Sequence, residues 1–324
     1  MRRLSPWLIL VLVACLPASV LGQERAWHDR SGNKVVGEIT GRDDDSITLR
    51  LSDGSSLVIP LNELAPADRR AAFAWRPRQV KRDLAFGQPW RVAFMRMEFA
   101  WVPPGSFLQG SSVLEEGRGA DESQREVVLS RGFWLSKSEV TQAQWSLLMM
   151  NAPSRFVGPE LPVDRVSWDE ATAFCKKMTL RARAEGSLPD GYVYTLPSEA
   201  QWEYACRAGA VAAFGHGNEK GSLENYGWTR ENALGKTHPV AALRPNRWGL
   251  YDMHGNVLEW CRDYYGKYPK GKTTNPAGAS VGEKRVARGG CILNPRLDCR
   301  SAKRYKGDPS EKDMVGLRVA LTQR

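Results

Sequence analysis

The sequence predicts an α+β protein in which a small all-β module precedes a larger domain with little regular secondary structure. Three observations lead there. At 324 residues the chain exceeds one typical domain of about 100 to 200 residues, so two cores are expected. Residues 35–64 alternate apolar and polar side chains around an Asp53-Gly54 turn, the pattern of a half-buried antiparallel sheet. Beyond Gly209 periodicity fades into short pieces punctuated by Gly, Pro and Asn and rich in Trp and Tyr, with no βαβ rhythm and no phosphate-cradling glycine loop.

Residues 1–22, MRRLSPWLILVLVACLPASVLG, set two arginines before an apolar run from Trp7 to Leu16 and then small residues, the layout of a secretory signal. The run is shorter than the roughly 20 residues a membrane span needs, so the expectation is an exported protein, periplasmic or secreted. LVAC, ending at Cys15, resembles a lipobox, and a lipid anchor at Cys15 is the alternative. Residues 23–75 form the β module, with Val36, Ile39, Ile47, Leu49, Leu51, Leu57, Ile59 and Leu61 as its expected core. Residues 76–90, opening with RPRQVKRD, lack an apolar period and are assigned as a linker; the large domain is expected over 91–324.

Capping boxes start three helices in that domain, each with a Ser or Thr followed three residues later by Glu or Gln: Thr141/Gln144, Ser167/Glu170 and Ser198/Gln201. In the second, Ala171, Phe174, Cys175 and Met178 fall on one face; in the third, Trp202, Ala205 and Cys206 do, with Gly209 suited to the C-terminal cap. An irregular backbone needs pins, for which disulfides, bound metal ions and the eight tryptophans from Trp101 to Trp260 are candidates. The net charge of +10 is scattered rather than gathered into a stripe, which argues against nucleic-acid binding. His28, His216, His238 and His254 are too dispersed for a zinc triad, and neither HExxH nor GxSxG occurs. Export would let the remaining cysteines, Cys175, Cys206, Cys261, Cys291 and Cys299, form disulfides, and an odd count leaves at least one thiol over.

Six ordered blocks carry a family likeness over roughly residues 94–321: MEFAWVPPGSFLQGS (97–111), GFWLSKSEVTQAQW (132–145), LPVDRVSWDEATAFC (161–175), YTLPSEAQWEYACRAG (194–209), RPNRWGLYDMHGNVLEWCRD (244–263), and RVARGG with CRSAKR and VGLRV. The chain resembles the sulfatase-modifying factor, or formylglycine-generating enzyme, family. That resemblance implies an irregular fold related to C-type lectins, often with bound calcium. The β module is similar to an SH3-like module found in front of catalytic or binding domains; such modules bind short peptides, and a compact spacer is the alternative.

The family's active enzymes oxidise a cysteine of a sulfatase peptide, using copper held by two nearby thiolates, soft ligands that suit Cu(I). Here Gly289-Gly290 is followed by the shorter CILNPRLDC, and Cys299 matches the cysteine that relatives bridge to the equivalent of Cys206. The copper pair is therefore missing and copper is not expected. Cys291, directly after the glycines, remains the candidate catalytic residue, either a reactive thiol or a serine-sized substitution in a buried turn. The resemblance implies a Cys206–Cys299 disulfide. The family's other bridge loses its partner at Val319, leaving Cys175 and Cys261 as the remaining couple.

In DMHGNVLEW a glycine-bearing turn can aim carbonyls inward while Asp252 and Glu259 supply charge, the oxygen-rich setting calcium takes. The matching family positions are Asp252, Gly255, Val257 and Glu259; the alternative is that Glu259 pairs with an arginine. Leu258 stands where relatives carry Trp near the pocket. The expectation is a calcium-pinned module binding a peptide, protein or glycan ligand, or a divergent enzyme of unspecified reaction; the alternative is a formylglycine-generating oxidase working through Cys291.

Overall fold

The computed structural model describes residues 24–42, 45–74, 87–217 and 223–323; the expected signal segment with Cys15, and most of the expected linker, lie outside them. The described chain separates into two compact units, the first holding the residues up to 74 together with 179–190, the second holding the rest.

In the first unit, β1 (Arg25–His28), β2 (Lys34–Arg42), β3 (Ser46–Arg50) and β4 (Ser56–Pro60) form an antiparallel meander in sequence order, followed by α1 (Pro66–Ala74). Two-residue alternation decides what is buried. Ile47, Leu49, Ile59 and Leu61 turn inward around Trp27, whose indole N–H donates to the Gly37 carbonyl at 3.1 Å. Ile39, Leu51 and Leu57 pack against this core from its margin. Val36 corrects the expected core: the inward positions of β2 belong to Val35, Gly37 and Ile39, so Val36 faces out and is 45% exposed.

The second unit opens with β5 (Trp90–Val92), so the strand begins inside the expected linker. In chain order there follow β6 (Met97–Val102), β7 (Gly105–Gln109), β8 (Arg125–Leu129), β9 (Phe133–Ser136), α2 (Gln142–Ser146), α3 (Trp168–Ala184, whose residues from 179 on fall in the first unit), β10 (Tyr192–Thr195) and α4 (Glu199–Arg207). The C-terminal third adds β11 (Leu258–Tyr264), β12 (Thr273–Thr274), β13 (Arg285–Arg288), β14 (Tyr305–Gly307), β15 (Val315–Gly316) and β16 (Ala320–Gln323). They make three small sheets, ordered β10-β16-β9-β6-β5, β14-β13-β11-β15 and β12-β8-β7. No element occupies the chain between α4 and β11 except a single 3₁₀ turn at Leu223–Asn225 among the described residues.

All three capping boxes form. Thr141 and Ser198 each accept from the backbone N–H three residues on, and the Gln144 and Gln201 side chains return the bond. Ser167 and Glu170 do the same at the start of α3. The predicted face of α3 is buried as one stripe, Ala171, Phe174, Cys175 and Met178, with Phe174 stacked on Trp145 at 5.3 Å. After α4 the chain turns through left-handed Ala208 and Gly209, a conformation glycine adopts without strain.

The pins are mostly arginines. Four from the C-terminal segment reach back to carboxylates elsewhere in the unit. Arg288 donates to Glu203 of α4 at 2.5 Å, Arg304 to both oxygens of Glu199 at 2.7 and 2.9 Å, Arg300 to both oxygens of Glu122 at 2.8 and 2.9 Å, and Arg318 to Glu259 of β11 at 2.7 Å. All four are buried, so each ion pair works at low dielectric, and further N–H groups reach backbone carbonyls, such as those of Ala302 and Ser301 for Arg288. Tryptophan N–H groups add further ties, Trp260 to the Val166 carbonyl and Trp168 to that of Cys261, each at 2.8 Å.

The expected disulfides are not present in this structure: Cys175, Cys206, Cys261, Cys291 and Cys299 are all free and buried. Cys206 faces other partners instead, with its sulfur 3.5 Å from the Ser301 hydroxyl and 3.7 Å from the His254 ring. His254 itself donates from Nδ1 to the Cys299 carbonyl at 2.8 Å and accepts the Gly215 N–H on Nε2 at 3.1 Å. Cys175 lies in the buried stripe of α3, and the expected Cys175–Cys261 couple is absent as well.

Candidate functional site

The strand β13 runs into Gly289 and Gly290, both at positive φ (94° and 76°). Gly290 admits no side chain, because a Cβ there would stand 2.5 Å from the Cys299 sulfur. The turn delivers Cys291 into an apolar cluster with Ala233, Val257, Ile292 and Met314, flanked by Phe156, Trp228 and Leu258. Its thiol donates to Asn294 Oδ1 at 3.1 Å, and the same oxygen accepts the Cys291 backbone N–H at 2.9 Å. The Asn294 carbonyl in turn accepts the Arg230 N–H at 3.0 Å, which fixes the loop's far side.

Burial pushes the Cys291 thiol above its ordinary range, the backbone N–H groups of Leu293 and Asn294 opposing only weakly. Cys299 is pushed well up, first by burial and then by Cys291 beside it, and burial lifts Cys206 to about 12. None of these sulfurs is a thiolate near neutral pH, and the thiolate is the form that attacks or grips a soft metal. His254 is held neutral by burial, its ring pushed down to about 3, consistent with its two backbone hydrogen bonds.

The DMHGN turn lies next to this loop, through the Gly255 N–H to the Gly289 carbonyl at 2.9 Å. Asp252, Gly255 and Asn256 all adopt positive φ, and a Cβ on Gly255 would fall 2.0 Å from the Trp228 carbonyl. Glu259 accepts from Trp202 Nε1 at 2.6 Å and from Arg318 Nε and Nη2 at 2.9 and 2.7 Å, so both its oxygens are taken. Asp252 Oδ2 accepts the Ala241 N–H at 2.7 Å, leaving only a buried Oδ1 without a partner. The Val257 N–H and the Asn256 side chain donate to Glu139 at 3.0 and 2.7 Å. A calcium ion takes six to eight oxygens, with carboxylates carrying the charge. Of the expected set Asp252, Gly255, Val257 and Glu259, Glu259 is paired with Arg318, while Asp252 keeps one buried carboxylate oxygen unengaged. Among the described residues no group of three or more His, Cys, Asp or Glu side chains is arranged to hold a metal ion.

Burial, then the charges of Asp252 and Glu259, push Glu139 well above the carboxylate range, and burial lifts Asp252 to about 6. Glu139, Asn256 and Arg318 were not singled out from sequence, although they stand inside the EVTQAQW, HGNVLEW and VGLRV blocks. Asn294 had no signal beyond its place three residues after Cys291.

A glycine-pair turn, a left-handed HGN turn and a C-terminal segment tied to the third helix, all on an irregular α+β frame, define a class of protein in which the site is built from loops rather than on a sheet. Residues 91–323 match the sulfatase-modifying factor enzyme 1-like domain, 233 of the 324 residues, and the chain belongs to that family. It is 30% identical over 185 residues to chaperone protein LppX of Paenibacillus barcinonensis, covering 44% of this chain and 66% of the relative. It is 34% identical over 179 residues to the formylglycine-generating enzyme of Bos taurus, covering 50% of this chain and 44% of that enzyme. The match therefore spans less than two thirds of either relative's length. Among solved structures, Treponema denticola variable protein 1 superposes with a TM-score of 0.65 at 25% identity, over 72% of this chain and 98% of that one.

Proposed function

We propose that this chain is a ligand-binding member of the family, which uses the face around Cys291 to hold a peptide or protein segment and does not carry out copper-dependent oxidation. The observation that carries this is the state of Cys291: a buried, protonated thiol bonded to Asn294 within an aliphatic cluster, a poor site for Cu(I) or for nucleophilic attack. Leu258 belongs to the same apolar surface. Val157, Leu234 and Leu293, the chain neighbours of Phe156, Ala233 and Ile292, are 90%, 84% and 47% exposed, the apolar rim expected of an interaction face. Export of the chain is part of this proposal, supported by its N-terminal segment. Among the described residues no helix is long and apolar enough to cross a membrane. The N-terminal meander is proposed as an SH3-like module, supported by its strand order and its Trp27-centred core.

The test has two arms on the reduced, full-length protein. Titration with Cu(I) and oxygen uptake on a Cys-x-Pro-x-Arg peptide are expected to show neither stoichiometric copper binding nor turnover, whereas a response in both would establish the oxidase and overturn the proposal. Selection from a displayed peptide library should yield ligands whose binding Leu234→Asp and Leu293→Asp weaken at least tenfold. Ligands indifferent to both changes would place recognition elsewhere.

A further inference from the structure

We propose that the segment between β11 and β13 is a docking site for an anionic polysaccharide, a polymer bearing carboxylate or sulfate groups, held by Lys267, Lys270 and Lys306. The chain's net charge is scattered, but residues 264–282 hold three lysines and no carboxylate. Other lysines in and beside this segment are neutralised: Lys272 by Glu126 at 2.8 Å, Lys284 by Asp308 at 3.3 Å and Lys303 by Asp298 at 2.8 Å. Lys267, Lys270 and Lys306 are exposed and form no ion pair among the described residues. Lys306 of β14 joins the other two through Tyr265, whose ring centre lies 5.5 Å from its ammonium nitrogen.

The backbone that carries these lysines is anchored from below. Tyr265 donates its hydroxyl to Asp121 at 2.5 Å, Tyr268 donates to Glu199 at 3.0 Å, and the Gly266 carbonyl accepts from Arg304 at 3.0 Å. Thr273 and Thr274 pair with Val127 and Val128 of β8. Asp121 and Glu199 are thereby engaged, Glu199 by Arg304 as well, and a ligand has only the lysine side chains left to order. The occupant follows from what the segment does not offer. Arg304 lies 4.6 and 4.1 Å from the ring centres of Tyr265 and Tyr268, and Arg125 lies 4.5 Å from that of Tyr268, so cations already rest on the rings that nucleic-acid bases would stack on. No large apolar side chain from 264 to 280 is exposed for insertion into lipid. Hydrated ammonium groups remain, which attract anions on a polymer through charge alone. The export proposed above brings acidic polysaccharide within reach of the chain, and the binding does not depend on the face around Cys291.

The test titrates the full-length chain calorimetrically with heparin for sulfate, polygalacturonate for carboxylate and dextran as the neutral reference, at low and raised salt. At least one charged polymer should bind, more weakly as salt rises, while dextran does not; the polymer that binds tells sulfate from carboxylate. A variant combining Lys267→Gln, Lys270→Gln and Lys306→Gln should bind about tenfold more weakly, whereas Lys272→Gln, Lys284→Gln and Lys303→Gln together should cost less than about threefold. The two variants lose the same net charge, so equal losses would trace binding to the overall charge of the chain and overturn the proposal. Binding of neither charged polymer, or tighter binding of single-stranded DNA or of phosphatidylglycerol vesicles, would overturn it too.

Discussion

The two units of this chain are held together by different physics. The first is a regular meander whose strands satisfy their own backbone, so Trp27, Ile47, Leu49, Ile59 and Leu61 need only fill one apolar layer, and Arg50 and Glu38 pair on its surface, at 3.3 Å with the arginine more than half exposed. The second leaves long stretches outside any strand or helix and ties them with buried guanidinium–carboxylate pairs. A meander can lose an ion pair at little cost. An irregular domain cannot, because each buried arginine also satisfies backbone carbonyls that no ladder serves: Ser136 and Tyr251 for Arg318, and Ala302 and Ser301 for Arg288.

The largest effect that would break this comparison concerns Arg288. Arg288→Ala strips one of the two guanidinium groups from buried Glu203, leaving Arg207, and frees the carbonyls of Ser301, Ala302 and Lys303; it should destabilise the second unit by about 3 kcal/mol, read by hydrogen exchange resolved over each unit separately. An unchanged second unit would show that the pairs are ornaments on an apolar core. Next comes pH. Burial and Glu199 push Asp263 from 3.8 up to about 7. The native state therefore binds its proton more tightly than the unfolded chain does. That contribution is fully present below about pH 4 and is lost as pH rises toward 7, so Asp263→Asn should flatten the stability profile across this window, by on the order of 3 kcal/mol in the difference between the two proteins. A parallel pair of profiles would refute it.

Smaller changes sharpen the contrast from the other side. Ile47→Val removes one buried methyl from the first unit and should lower its stability by about 1 kcal/mol, visible in the exchange of β3 and β4 and not of β11 or β13. Arg50→Ala removes only an exposed partner of Glu38 and should move the same exchange by less than about 0.5 kcal/mol. If Arg50→Ala matched Arg288→Ala, surface and buried pairs would not differ as argued.

Much of the frame was legible without coordinates. Local signals are short-range, and the three capping boxes and the buried stripe of α3 formed where their spacing placed them. Period-two alternation located the core of the first unit except at Val36, where two adjacent valines allowed either face and the pairing with β1 and β3 chose Val35. The family likeness located both loops of the site, Gly289 to Cys291 and Asp252 to Glu259, but not what their side chains would meet.

The sequence by itself determined the family, the starts of the three helices and the apolar alternation of the first unit. Tertiary structure alone decided the partners. Glu259 met Arg318 from a strand-connecting segment 59 residues away, Cys206 met the His254 ring, and Cys291 was set among apolar side chains. The reason is that propensity and capping act over three or four residues, whereas charge neutralisation and thiol pairing in a loop-built domain depend on which distant segments are brought within about 3 Å, a property of the whole packed chain rather than of any window within it.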